Sequence, residues 1–387
     1  MTQGRSVHPF PARMAPELAV EALEGLPAGT RILDPLCGSG TVLRRAAEQG
    51  LPSLGTDIDP LAVKMARVWS TVLEAHAVLH DAEQVLRRAR CALKRNDDVS
   101  LPWQDAETVR YIRYWFGDSQ RRQLHYLAAE LAKFCGRTKT ALEVALSRTI
   151  ITKDRGASLA RDVSHSRPHR VSLDSDFDVF SAFSRSVLQL TKRLRPDLIR
   201  KSANVELGDF RELGGIADQS VDCVITSPPY LNAIDYMRGH RLALVWLGYS
   251  VKETTAIRAS AVGAERAVPE GVADPCRYVT AGLPGLQKRH LGWIRRYQQD
   301  AGAGIAQCSR VLPSKGGLIV IVVGNSTIRG TRVDNAGIYA DWLTHYGFSV
   351  RARTRLIPSG NRYLPPPSGG TGLQARMREE VVLVGAR

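Results

Sequence analysis

The run Thr30-Arg31-Ile32-Leu33-Asp34-Pro35-Leu36-Cys37-Gly38-Ser39-Gly40-Thr41 decides how this chain folds. Thr30 to Leu33 is a short apolar strand candidate that ends at Asp34. The glycines behind it allow positive φ and a close approach of backbone to a neighbour or ligand. Thr41 to Gln49 then reads as a helix, with Gly50 as its C-cap. Leu51 to Thr56 reads as a second strand and Pro60 to Leu73 as a second helix. Strand, helix, strand, helix in that order predicts a doubly wound, parallel, Rossmann-like α/β sheet.

The same pattern returns later. Ala203–Leu207, Val221–Ile225 and the strongly apolar Gly317–Val323 read as strands, with helices over Tyr236–Leu247, His290–Leu312 and Ala336–Tyr346. Phe348–Ile357 and Glu380–Val384 read as a final antiparallel pair, with a Pro/Gly-rich loop from Pro358 to Gly372 between them. Ser250 to Arg289 has mixed signals and is expected to be loop-rich. The middle of the chain differs. Helical periodicity marks Glu83–Lys94, Asp105–Trp115, Ser119–Phe134, Thr140–Ile150 and Ser175–Leu194, around a polar, basic stretch from Thr152 to Arg170. The expected organisation is one α/β domain formed by 1–74 and 201–387, carrying a mainly helical insert over 75–200.

Two stretches carry chemistry. At the end of the apolar run Val221–Ile225 stands Thr226-Ser227-Pro228-Pro229-Tyr230. Two prolines cannot continue a sheet ladder, so the chain leaves its strand as a rigid extended segment ending in an aromatic ring. Such a segment presents a hydroxyl and backbone carbonyls to an amino group, and a ring to the planar base that bears it. The Gly turn after Asp34 lacks both the Gly-x-Gly-x-x-Gly spacing and a Gly-Lys-Ser/Thr phosphate loop. Asp57 ends the next strand, roughly 20 residues on, where an acid can accept bonds from both hydroxyls of a ribose; Asp59 is its close competitor.

Together these segments resemble the DNA amino-methyltransferases, the N4-cytosine and N6-adenine enzymes of the Ser-Pro-Pro-Tyr type. The resemblance covers about the first 70 residues and the stretch from about 203 onward. It implies S-adenosyl-L-methionine as cofactor and assigns roles by position. Asp34, Pro35, Cys37, Gly38, Gly40 and Thr41 form the methionine-side turn, with Asp34 holding the ammonium group. Asp57 binds the ribose and Ile58 packs on the adenine. Asp209 bonds the adenine amino group and Phe210 stacks on the ring. His8, Pro9 and Phe10, in the Pro-rich segment before the Gly turn, line the methionine pocket. Ser227, Pro228, Pro229 and Tyr230 are the catalytic set. An exocyclic amine is a weak nucleophile because its lone pair is delocalised, and its base must be flipped out of a duplex to be reached. Serine before Pro-Pro-Tyr favours cytosine N4 over adenine N6. An RNA base methyltransferase, or an inactive module that binds cofactor or DNA, are the competing readings. A core that begins almost at residue 1 favours DNA over RNA, and the intact Ser227–Tyr230 segment and Asp34 argue against inactivity.

Composition agrees with a nucleic-acid partner. The net charge is +15, and the insert carries a disproportionate share of it. Lys153, Arg155, Arg161, Arg167 and Arg170 are the candidate phosphate contacts on double-stranded DNA. In the resembled family the insertion more usually falls between the segment of Asp209 and the catalytic motif. The insert is therefore assigned as target-recognition region on charge and size. The six cysteines show no paired or metal-ligand spacing, so no zinc site and no disulfide framework is expected. No apolar run spans a membrane, the first ten residues have no signal-peptide core, and the expected location is the cytoplasm. A cognate restriction endonuclease or defence-system component is the further partner the resemblance implies.

Overall fold

The computed structural model describes residues 6–8, 14–150, 152, 155–161, 169–231, 235–264, 283, 285–357 and 379–387. Pro9, Phe10, Lys153, Arg167 and the whole Pro/Gly-rich loop lie outside them. In chain order, α1 (Pro16–Leu23) leads to β1 (Ile32–Asp34), α2 (Thr41–Gln49), β2 (Ser53–Asp57) and α3 (Pro60–Ser70). Then come α4 (Ala75–Arg95), α5 (Ala106–Trp115), α6 (Asp118–Ala132) and α7 (Gly136–Ile150). A short antiparallel pair, β3 (Ala160–Arg161) and β4 (His169–Arg170), precedes α8 (Val179–Thr191). The α/β part resumes with β5 (Asn204–Leu207), β6 (Cys223–Thr226), α9 (Tyr236–Leu244), α10 (Val251–Ser260), α11 (Lys288–Val311) and β7 (Leu318–Val323). A hairpin, β8 (Ser326–Ile328) and β9 (Thr331–Val333), then α12 (Asn335–His345), β10 (Ser349–Leu356) and β11 (Glu379–Ala386), complete the described chain.

The main sheet runs β10-β11-β7-β6-β1-β2-β5. From β5 through β7 every neighbour is parallel, whereas β11 lies antiparallel between β7 and β10. This is the doubly wound α/β sheet with a terminal antiparallel pair that the sequence pattern predicts. The strand side chains alternate between two layers. Ile32, Cys223, Ile225, Val320 and Val322 pack against α1 and α2, while Leu33, Val224, Ile319 and Ile321 pack against α11 and α12. Order reverses beside β1: the chain runs outward through β2 to β5, then returns to the far side of β1 as β6. Ligands of such sheets bind outside the strand carboxyl ends at that reversal.

The helices of the insert do not stand apart from this core. Val85, Leu127, Leu142, Leu146 and Phe183 belong to one buried cluster with Leu61, Met65 and Trp69 of α3, and with Leu242 and Trp246 in and just after α9. Lys64 on α3 donates to Glu143 on α7 at 2.6 Å.

Three local expectations change. The stretch expected to be loop-rich opens with a helix, α10, whose start is a capping box: Ser250 accepts from the Glu253 backbone N–H and Glu253 returns the bond to the Ser250 N–H. Helix α4 begins at Ala75, a full two turns before its strong periodicity sets in. The β8–β9 hairpin was not expected; its turn, Arg329-Gly330, has positive φ at both residues (51° and 84°), the two-residue turn that matches strand twist. No helix of the described residues is long and apolar enough to cross a membrane.

Candidate active site at the strand carboxyl ends

The residues singled out from sequence converge on one edge of the sheet. Asp34 ends β1, Asp57 ends β2, Gly208 and Asp209 follow β5, and Ser227 follows β6. β1 and β6 are neighbours, so the Gly turn and the Pro-Pro segment emerge side by side at the reversal of strand order.

A buried hydrogen bond joins them: Thr226 Oγ1 donates to Asp34 Oδ1 at 2.8 Å. Asp34 is 3% exposed. Burial pushes its carboxyl from 3.8 up to about 7, against the opposing pull of Thr226 and the Leu36 N–H, and nearby Asp57 adds to the rise. The turn itself is bolted to β2, since the Cys37 N–H donates to the Thr56 carbonyl at 2.9 Å and Thr56 Oγ1 to the Pro35 carbonyl at 3.0 Å. Gly40 has φ 88°, and a Cβ there would stand 2.8 Å from the Ala66 Cα. Glycine at this place is therefore needed twice, for its backbone angle and for the contact of α2 with α3.

Asp57 and Asp59 have different partners. Asp57 accepts from the Gly38 N–H at 2.8 Å and the Asp59 N–H at 2.9 Å and stays half-buried; burial and the Asp59 charge push its carboxyl up to about 6. Asp59 is buried, caps α3 through the Leu61 N–H and takes the His240 Nδ1 contact. Asp57 is thus the acid with capacity left for a ligand at the cleft. Ile58, half-buried, lies between them in sequence.

The β5 end departs from expectation. Asp209 accepts from the backbone N–H and guanidinium of Arg211, which holds its carboxyl below the usual range against the opposing effect of burial. Arg211 also bonds Asp300 and the Ser260 carbonyl. Phe210, expected to stack on a ligand ring, is 1% exposed and fills the core behind the sheet. A Cβ on Gly304 of α11 would fall 1.7 Å from its ring. The ring has no free face at the cleft, because a small apolar gap under α11 is the better place for an aromatic side chain. Phe210 anchors the segment in the core, with Asp209 beside it held by Arg211.

The Pro-Pro segment is held from three sides. Tyr297 on α11 donates to the Pro229 carbonyl at 3.0 Å. Ser326, opening the hairpin, donates to the Leu231 carbonyl at 2.6 Å, and Asn335 bonds both Ser326 Oγ and the Gly324 carbonyl. The Tyr230 hydroxyl donates to Glu380 of β11 at 3.2 Å. Ser227 and Tyr230 are half-buried and Pro228 is buried. Sequence inspection missed Tyr297, Ser326, Asn335, His240 and Glu380. None sits in a motif; α9, α11, α12, the β8–β9 hairpin and the register of β11 bring them to this edge of the sheet.

The basic contacts are more dispersed than expected. Arg155 is exposed and pairs with Asp176 at 3.3 Å. Arg170 lies over the Tyr114 ring, 5.3 Å from its centroid, and donates to the Ser172 and Leu173 carbonyls. Arg161 stands in β3. His8 is half-buried. Among the described residues, no cluster of His, Cys, Asp and Glu is arranged to hold a metal ion.

No protein-family model matches the chain. It is similar to the Type II methyltransferase M.MvaI of Kocuria varians, 24% identical over 285 residues that cover 65% of this chain and 59% of that protein. Similarity to the Type II methyltransferase M.BsoBI of Geobacillus stearothermophilus is 23% over 274 residues, covering 60% and 50%. The chain therefore spans between half and three-fifths of the length of these curated relatives. A third match is short and closer: 46% identity over 52 residues, 13% of this chain and 16% of the relative, with the tRNA (guanine(10)-N2)-dimethyltransferase of Methanothermobacter thermautotrophicus.

Proposed function

We propose that the protein is an S-adenosyl-L-methionine-dependent methyltransferase that methylates an exocyclic amine of a nucleobase in DNA, with N4 of a flipped-out cytosine as the preferred acceptor. The observation that carries this reading is the Asp34–Thr226 hydrogen bond. It ties the turn suited to the cofactor's amino-acid end to Thr226, the residue immediately before the Ser-Pro-Pro-Tyr segment. Similarity to two Type II methyltransferases over most of the chain supports the same class.

The donor set fits the cofactor. The groups acting on Asp34 are Thr226, Leu36 and Asp57, none of them cationic. A buried carboxylate of this kind is suited to an ammonium group, which would return it to its charged form. Asp57 is suited to the hydroxyls of a ribose. When bound, S-adenosyl-L-methionine supplies an electrophilic methyl group on a sulfonium.

The remaining work falls to the chain. Ser227 Oγ and the Pro228 carbonyl accept the two N–H bonds of the substrate amine and favour its pyramidal form, freeing the lone pair. Tyr230 stacks on the base. Pro228 and Pro229 keep this segment rigid, and Tyr297 and Ser326 hold its carbonyls, so the amine is oriented before reaction and orientation provides much of the rate. Base flipping brings the amine to the segment. Arg155, Arg161 and Arg170, with Lys153 and Arg167, supply phosphate contacts. Residues 75–200 are the target-recognition region, packed on the catalytic part formed by 1–74 and 201–387.

Adenine N6 is the alternative acceptor, since serine can accept a bond from either amine. The 52-residue match to a tRNA guanine-N2 enzyme favours a second reading, transfer to an RNA base, which shares the exocyclic-amine chemistry. Incubation with labelled S-adenosylmethionine and either DNA or RNA, followed by nucleoside analysis, separates these. N4-methylcytosine in DNA is the expected product. Label on RNA alone, or on a ring carbon, would refute the proposal.

A further inference from the structure

Glu380 is the second residue of β11, the strand that enters the sheet antiparallel beside β7. Its neighbour Val381 pairs with Val323, the last residue of β7, so Glu380 stands one step beyond the end of β7 while still paired with Arg355 of β10. Its carboxylate accepts from the Tyr230 hydroxyl at 3.2 Å. The Ser227 hydroxyl also acts on the Tyr230 phenol, opposing the rise that burial causes. The three groups make one row: its formed link is Tyr230 Oη–H to Glu380 Oε1, and the Ser227 hydroxyl stands at its other end.

We infer that this row is the proton exit of the reaction, with Glu380 as the terminal proton acceptor and the residue that positions the Tyr230 ring. The inference rests on the methyl-transfer reading above. Moving a methyl group from sulfur to nitrogen leaves one proton in excess on the amine. The amine N–H bonded to Ser227 Oγ passes its proton there, as the serine hydroxyl proton moves to Tyr230 Oη and the phenol proton to Glu380. The base ends neutral, serine and tyrosine are unchanged in charge, and the glutamate becomes a neutral acid that later releases its proton to water. A free phenol would be too weak a base for the step, and a fully solvated carboxylate could not restrain the ring; a half-buried carboxylate does both.

The surroundings suit an acceptor that changes state. Burial raises the Glu380 carboxyl, while the Tyr230 bond and the Arg355 charge, directly across on β10, pull it down. The adjacent Glu379 is engaged by Arg332 at 3.4 Å. Tyr230 is itself pushed well above its ordinary range, by burial first and by Glu380 second, so it relays a proton without ionising.

Two measurements test this on the full-length protein. The first needs no activity: carbon-13 NMR of glutamate-labelled protein across pH. One carboxyl signal, lost in Glu380→Gln, should titrate above the ordinary glutamate range and move further up in Tyr230→Phe, which keeps the ring and removes the donor. A Glu380 signal that is unmoved by Tyr230→Phe would overturn the inference. The second is methyl transfer to DNA. Glu380→Gln, which can still accept the Tyr230 bond, should lower kcat by about 100-fold, the low end for a proton-accepting group. It should leave cofactor affinity unchanged and flatten the acid limb of the pH profile. If the wild type transfers methyl groups and Glu380→Gln matches it in kcat and pH profile, the proton exit is refuted and the methyl-transfer reading stands. A wild type inactive on DNA and RNA alike overturns both.

Discussion

Asp34 makes the ligand-free protein less stable as pH rises, and Asp34→Asn should reverse this. The carboxyl is raised from 3.8 to about 7. A raised acid favours the folded state only while protonated. Between these two values the unfolded chain binds fewer protons than the native one, so stability falls with pH through that window and levels off above it. At about 1.4 kcal/mol per pKa unit, the loss is about 4 kcal/mol. Asparagine is close to isosteric, accepts the Thr226 hydroxyl as Asp34 does, and cannot ionise. Urea unfolding followed by tryptophan fluorescence, at pH 4 and pH 8 without cofactor, measures the difference. The two proteins should match at pH 4. At pH 8 the variant's midpoint should lie higher by about 1 M, taking m as about 3 kcal/mol/M. Asp57, raised to about 6, keeps a smaller slope in both. The same variant should lose S-adenosylmethionine affinity, a gain of stability at the expense of function. Midpoints that run in parallel from pH 4 to pH 8 would refute the reasoning.

Other outcomes follow from the packing and the charge. Tyr297→Phe removes the donor to the Pro229 carbonyl; it should cost about 1–3 kcal/mol in a melting experiment and lower methyl transfer while leaving cofactor affinity in place. Gly304→Ala drives a methyl group into the Phe210 ring and should destabilise by about 3 kcal/mol, visible as a lower melting temperature; an unchanged midpoint would show that Phe210 has room to move. Replacing Lys153, Arg155, Arg161, Arg167 and Arg170 together by glutamine should weaken DNA binding and reduce the salt slope of log K by about 4. An unaltered slope would place the phosphate contacts elsewhere.

The fold was largely legible because local signals agreed with one another. The Gly turn after β1, the Gly50 cap and the strand periodicities all point to a doubly wound sheet, and the sheet has that form. Asp34, Asp57 and Ser227 were legible as a set because each ends or directly follows a strand, and parallel strands bring their ends to one edge. What escaped was set by tertiary packing. Phe210 reads as a ring beside a ligand, yet the glycine that makes room for it, Gly304, stands almost a hundred residues away on α11. Glu380 reads as an ordinary strand-opening charge; only the antiparallel insertion of β11 between β7 and β10 carries it to Tyr230. Helix α10 is a different case, since its Ser250–Glu253 capping box was present in the sequence and simply outweighed by the mixed signals that follow.

The shared apolar cluster beneath the insert has a consequence for anyone who would re-engineer the protein. Residues 75–200 form a continuous segment, and such segments invite exchange between relatives as cassettes. Here the seam does not follow the chain. Cutting at the segment's ends would uncover Leu61, Met65 and Trp69 on one side and Leu242 and Trp246 on the other, a wet apolar face prone to association. A transplant that keeps its solubility has to carry α3, α9 and α10 along with the five helices. The smallest exchangeable unit therefore includes Asp59 and His240, the contacting pair next to Asp57 at the carboxyl end of β2.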